Sequence, residues 1–307
     1  MKTSKTSPTF QEVADMFRNE HFVSLQPNTV AGYKTALNQA KKYFADIPIS
    51  KISSKNVETY LLDYSLIRFK GDAPAAKTVR NRLLLLNMLF TYAIKEGIIC
   101  TNPAAVVRVP KNLEKHTRAF PTPFDINAVI ENVNAPFGLF FFLALYTGCR
   151  RGELLALQWK DINFEAREIS VYKSVYFSGD KPFIKKPKTE SGIRKIILLD
   201  KAYDVLLTRR GKPDAYILGN ENGELLKHKQ TSTLISQYRA ISNTNICAHS
   251  LRHYFCSECF ESGLDVKITQ LLMGHSDVST TLNIYTHIRE KTLLKEARKL
   301  NFIDFAN

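Results

Sequence analysis

The chain has 307 residues, enough for one large core or two separate ones. A hydrophobic content of 44% excludes a disordered or fibrous chain. No apolar run reaches membrane-spanning length and MKTSKTSPTF has no export segment, so a soluble cytoplasmic protein is expected, with no membrane partner.

The net charge of +14 divides evenly, +7 on each side of Pro110, which argues against a single basic tail. Two basic bodies suit a clamp around a polyanion, and nucleic acid is the commonest large one. The five cysteines (Cys100, Cys149, Cys247, Cys256 and Cys259) form no disulfide framework and suit a reducing compartment.

The first hundred residues read as four helices. Residues 9–22 open with Thr9 and Glu12 in capping-box spacing, and 28–44 place Val30, Tyr33, Leu37, Ala40 and Phe44 at helical period. Residues 54–66 form the third, capped by Ser54, and 75–97 the fourth, apolar nearly all round its second half. Lys34, Lys77, Arg80 and Arg82 on these helices are candidates for DNA contact, with a solvated basic face as the alternative.

Residues 101–123 carry four prolines and four Lys/Arg, which reads as an extended basic connector between two domains. The expected division is a helical DNA-binding domain over 1–107, a linker over 108–122 and a catalytic domain over 123–307. Beyond the connector, helices are expected at 124–134, 137–147, 152–158, 201–210, 229–241, 250–262, 265–273 and 279–287. Residues 161–177, 182–186 and 193–199 read as short strands, with 185–192 the polar turn joining the last two. The fold class is mainly α with a small antiparallel β-sheet.

Four clusters in the second half could carry chemistry: YTGCRRGELLALQW (146–159), Lys188 in PKTESGIRK, HSLR (249–252), and MGHSDVSTTLNIYTH with His275 and Tyr285. Singly, each has a structural explanation. Arg150 could pair with Glu153 at a helix end, Lys188 could be a solvated loop lysine, His249 a cap, and Tyr285 a half-buried aromatic. Together they supply two guanidinium forks suited to phosphate oxygens, three groups able to donate or move protons, and one nucleophile. A tyrosine attacking phosphorus forms a phosphotyrosine ester that conserves the energy of the broken bond, so resealing needs no hydrolysable cofactor.

In these motifs the chain resembles the tyrosine recombinases, which include phage integrases, the Xer recombinases and Cre; type IB topoisomerases share much of their chemistry. TGCRRGEL resembles the family's first-arginine motif, KTESGIR its β-hairpin lysine motif, HSLRH its histidine–arginine box, MGH its second histidine box and TTLNIYTH its nucleophile segment. The phrase YAIKEGIICTNPAAVVRVPK resembles the end of the family's core-binding domain, so the likeness runs from about Phe10 to the end.

The resemblance implies a site-specific recombinase with Arg150, Lys188, His249, Arg252, His275 and Tyr285 as catalytic residues, Glu153 and His253 as supports, and no metal or ATP. It also implies double-stranded recombination sites as substrate and a homotetramer on paired sites. The segment 289–305 is then an oligomerisation tail, although docking on its own domain is the alternative.

Three departures from the family pattern stand out. The interval from His275 to Tyr285 is longer by one residue than in many members, as in integrases of conjugative transposons. Met273 replaces a commoner leucine. With so few residues before residue 9, an arm-site domain of the kind many phage integrases carry is not expected.

The sequence also allows two rival functions. A topoisomerase would relax plasmids without a preferred site, and a non-catalytic regulator would give no trapped adduct. A metal site in AHSLRHYFCSEC (248–259) is disfavoured, because a helix spreads His249, His253 and Cys256 over about 10 Å.

Overall fold

The computed structural model describes residues 7–68, 72–111, 113, 120–187, 190–274, 277 and 282. The chain divides into two compact units between Thr117 and Arg118.

The first unit is helical: α1 (Phe10–His21), α2 (Pro27–Phe44), α3 (Ser54–Leu66) and α4 (Ala76–Lys95). The Thr9–Glu12 capping box forms as its spacing predicts. The cap of α3 is Ser53 rather than Ser54, with Asn56 as its reciprocal partner. Phe10, Phe17, Leu37, Phe44, Leu61, Leu86 and Phe90 are fully buried, each burial contributing roughly 1.5–3 kcal/mol.

Among the basic candidates, Lys34, Lys77 and Arg80 are exposed. Arg82 is not available for DNA contact. It lies on the buried face of α4, its guanidinium 3.9 Å above the Tyr64 ring and its Nη2 donating to the Tyr64 hydroxyl at 2.7 Å.

The second unit surrounds α6 (Gly138–Thr147), whose sequence GLFFFLALYT is apolar on every side and therefore central. Around it are α5 (Pro123–Glu131), α7 (Arg151–Ala156), α8 (Asp200–Leu207), α9 (His228–Ser242), α10 (Ala248–Glu261) and α11 (Val266–Met273). Tyr238 of α9 stacks on Phe141 with ring centroids 4.2 Å apart.

The 161–177 run is broken into β1 (Ile162–Asn163), β2 (Glu168–Val171) and β3 (Ser174–Ser178), with Arg167 in the left-handed region between the first two. β4 (Lys181–Lys185) and β5 (Arg194–Ile197) follow. β3 pairs with β4, whereas β5 pairs antiparallel with β2, Ile196 opposite Ile169, in the order β1-β2-β5. The 186–193 segment therefore joins two separate sheets, and the hairpin expected between the last two strands is not formed. The expected 279–287 helix (apart from Leu282) and the 289–305 tail lie outside the described residues.

Candidate active site

The site begins where α6 ends. Thr147 Oγ1 donates to the Leu143 carbonyl at 2.6 Å and accepts from the Cys149 N–H at 3.2 Å. Gly148 then takes a left-handed φ of 60°, and a side chain there would meet Phe255 at 2.5 Å, so the sharp turn requires glycine. This turn delivers Arg150 in extended conformation to the N-cap of α7.

Glu153, in the first turn of α7, accepts from the Arg150 backbone N–H at 2.9 Å and from Arg150 Nη1 at 2.8 Å. Arg150 thus makes the helix-end ion pair that its sequence position suggests. Arg150's side chain keeps 43% of its surface exposed while its Nη2 donates to the Gly274 carbonyl at 2.8 Å.

Arg252 comes from the second turn of α10, whose N-cap is Cys247, and is 3% exposed. Its two terminal nitrogens donate to the carbonyls of Gly148 and Met273. Burial first, and then the positive charge of Arg150, push its pKa below the ordinary arginine value. An arginine stays charged in a protein, so this marks a cationic group held at an energetic cost that an incoming anion would relieve.

Arg194, at the start of β5, is a site residue to which no sequence motif assigns a role. Its Nη2 donates to Glu153 at 2.9 Å and its Nε to the Leu272 carbonyl at 2.7 Å, with the side chain 6% exposed. Its signal was present in the strand pattern, because residues 194 and 196 share one face and Ile196 is buried. Burial works to raise the Glu153 pKa. The hydrogen bond and charge of Arg194, then those of Arg150, outweigh it and hold the carboxyl down at about 2. Three guanidiniums therefore face one carboxylate, leaving two uncompensated positive charges in a largely buried cluster.

His249 and His253 stand one turn apart on α10 with their Nε2 atoms 2.9 Å apart, one donating and the other accepting. His249 is exposed at the helix start, although the cap itself is Cys247. His253 is placed to orient the His249 ring.

Arg150, Glu153 and Arg252 thus meet in one cluster, and His249 and His253 share a helix with Arg252. Lys188, His275 and Tyr285 lie outside the described residues. Among the described residues, no three His, Cys, Asp or Glu side chains are grouped to hold a metal ion. None of the described helices is long and apolar enough to cross a membrane.

Excess buried positive charge, a half-exposed guanidinium and an imidazole pair on the same helix as Arg252 suit the binding of a phosphate. Comparison with known proteins shows the family. The chain belongs to the phage integrase family, whose model matches residues 122–292, and residues 9–63 match the phage integrase N-terminal SAM-like domain.

The chain is 28% identical to a XerC-like tyrosine recombinase of Caldanaerobacter subterraneus, covering 88% of this chain and 75% of that one. It is 27% identical to the ICEBs1 integrase of Bacillus subtilis, covering 96% and 83% respectively. The fold matches that of the Tn1549 transposon integrase, solved with a circular intermediate DNA, at a TM-score of 0.76 and 23% identity over 96% of this chain and 100% of that one.

Proposed function

We propose that this protein is a site-specific DNA recombinase of the integrase type, which cuts and rejoins strands through a 3′-phosphotyrosine intermediate on Tyr285. The observation that carries the reading is the Arg150–Glu153–Arg252 cluster, whose surplus positive charge is fixed in place before any substrate arrives. Charge preorganised in this way stabilises the extra negative charge of a pentacoordinate phosphate without reorganisation during the reaction.

In the proposed reaction the Tyr285 phenol oxygen forms a bond to the scissile phosphorus and the bond from phosphorus to the 5′-oxygen breaks. His249 takes the phenolic proton, oriented by His253, and Lys188 gives a proton to the leaving 5′-oxygen. Arg150 grips the non-bridging oxygens from its exposed side, Arg252 acts from the buried wall, and His275 adds a hydrogen bond. A 5′-hydroxyl from the partner duplex then attacks the phosphotyrosine in the reverse sense and frees Tyr285. One phosphodiester replaces another, so the scheme calls on neither ATP nor a metal.

Exchange between two duplexes breaks four strands and each break uses one tyrosine, which favours a homotetramer on paired double-stranded sites. The 289–305 tail is the proposed link between protomers. The two basic halves of the chain supply non-specific phosphate affinity, and the cytoplasm, where the DNA lies, is the proposed location.

The test is single-turnover cleavage of a nicked suicide duplex taken from the DNA flanking the gene. Arg150→Ala and Arg252→Ala should each slow cleavage by about 10²–10³-fold while site binding persists. Wild-type cleavage rates in either variant would remove the cluster from the mechanism.

A further inference from the structure

Three consecutive carbonyls close α11, and each is held by a different arginine. Leu272 is held by Arg194, Met273 by Arg252 and Gly274 by Arg150. The three donors come from β5, α10 and the α6–α7 junction. The end of a helix leaves such carbonyls without intrahelical partners and carries partial negative charge, so cations are its natural caps.

Arg194 is set apart from the other two by where its nitrogens point. Nε and Nη2 are bonded to Leu272 and Glu153, and Nη1 is buried against Gly274, with no hydrogen-bond partner among the described residues. A Cβ built on Gly274 would lie 2.9 Å from Nη1 and 2.9 Å from the Ser191 carbonyl. Arg194 thus sits between protein groups on every side, at the exit of the 186–193 segment that carries Lys188.

We infer that Arg194 is a positioning residue for the cleavage reaction, fixing the Glu153 carboxylate that braces Arg150 and pinning the end of α11 directly before His275. The inference rests on the recombinase reading and deepens it. Through Glu153 it sets the direction of the Arg150 fork. Through Leu272 and Gly274 it sets where the chain leaves α11. Because it begins β5, it also ties both to the segment bearing Lys188. A buried ion pair contributes little net stability over a well-packed apolar pair; what Arg194 supplies is register among three catalytic segments.

The test uses the full chain with Arg194→Met, Arg194→Lys and Glu153→Gln, and the Met and Gln changes combined. The probe is a nicked suicide duplex from the DNA flanking the gene, with protein in excess so that the adduct rate is read apart from gel-shift affinity. Arg194→Met should slow adduct formation about 10²-fold with affinity nearly unchanged, the loss expected when a reacting group is misplaced by about 1 Å. Arg194→Lys should recover part of the rate. The double variant should be no slower than the worse single, because the two residues act through each other.

In DNA-free protein, a carbon-13 titration of the Glu153 carboxyl gives a separate readout. In the Met variant it should titrate well above the wild-type position, and in the Lys variant between the two. Wild-type cleavage in Arg194→Met, multiplied losses in the double variant, or an unmoved Glu153 titration would each overturn the inference. If the Met variant fails to fold, the Lys variant decides in the same way, an intermediate rate supporting the role and a wild-type rate refuting it. If the wild-type chain itself forms no adduct, the recombinase reading fails, while the Glu153 titration still decides whether Arg194 holds that carboxylate.

Discussion

Replacing Glu153 by glutamine keeps the shape of the side chain and removes the one carboxylate set among three guanidiniums in the described residues. Glu153 is 7% exposed and accepts from the Arg150 backbone, Arg150 Nη1 and Arg194 Nη2 at 2.8–2.9 Å. Its pKa falls from an ordinary 4.5 to about 2. That difference is worth about 3 kcal/mol in favour of the ionised form in the folded protein.

A carboxyl whose pKa falls on folding stabilises the protein above its unfolded value, and the contribution disappears as pH drops from 4.5 toward about 2. Glu153→Gln should therefore cost about 3 kcal/mol near neutral pH, with the gap closing in acid. The single tryptophan, Trp159, is buried in the core of the second unit. Urea unfolding followed by its fluorescence reports that unit alone. A gap that is equal at neutral and acid pH, or below about 0.5 kcal/mol throughout, would refute the assignment of Glu153 as a buried ionised brace.

Two further outcomes follow from the same geometry. Gly274→Ala puts a side chain at a φ of 62° and against Arg194 and Ser191. It should lower the Trp159 unfolding midpoint and slow cleavage more than it weakens binding; wild-type cleavage would show that the arginines do not fix the end of α11. Lys77→Ala and Arg80→Ala should each reduce the salt slope of DNA binding by about 1, whereas Arg82→Ala should leave the slope unchanged and cost about 2 kcal/mol of first-unit stability. Filter binding across a salt series decides this, and a lowered slope for Arg82→Ala would return that residue to the DNA surface.

The helices of the first unit were legible because their apolar spacing and caps are local properties, as at Thr9 and Glu12. Arg82 resembles its basic neighbours in composition, but helical phase sets it beside Val79, Leu83 and Leu86 on the buried face. The strand pairing was not legible. The turn-like composition of 185–192 suggests a hairpin, but β5 finds its partner in β2 across an intervening pair of strands. Arg150, His249 and Arg252 were recognisable from their motifs. What the motifs do not express is their joint attachment to the end of α11, since that depends on carbonyls more than a hundred residues from Arg150. The only trace of Arg194 in the sequence is the strand period it shares with the buried Ile196, which marks its face and not its contacts with Glu153 and Leu272.

The proposed recombinase chemistry stands on a covalent bond between Tyr285 and a DNA 3′-phosphate. The full chain is mixed with a nicked suicide duplex from the DNA flanking the gene, denatured and digested, and the peptide containing residue 285 is weighed. The wild-type chain should give an adduct that survives denaturation with the nucleotide mass on Tyr285, and Tyr285→Phe should give none although that variant still shifts the duplex. An adduct at wild-type yield in Tyr285→Phe, or none from the wild-type chain on DNA it binds, would contradict that chemistry.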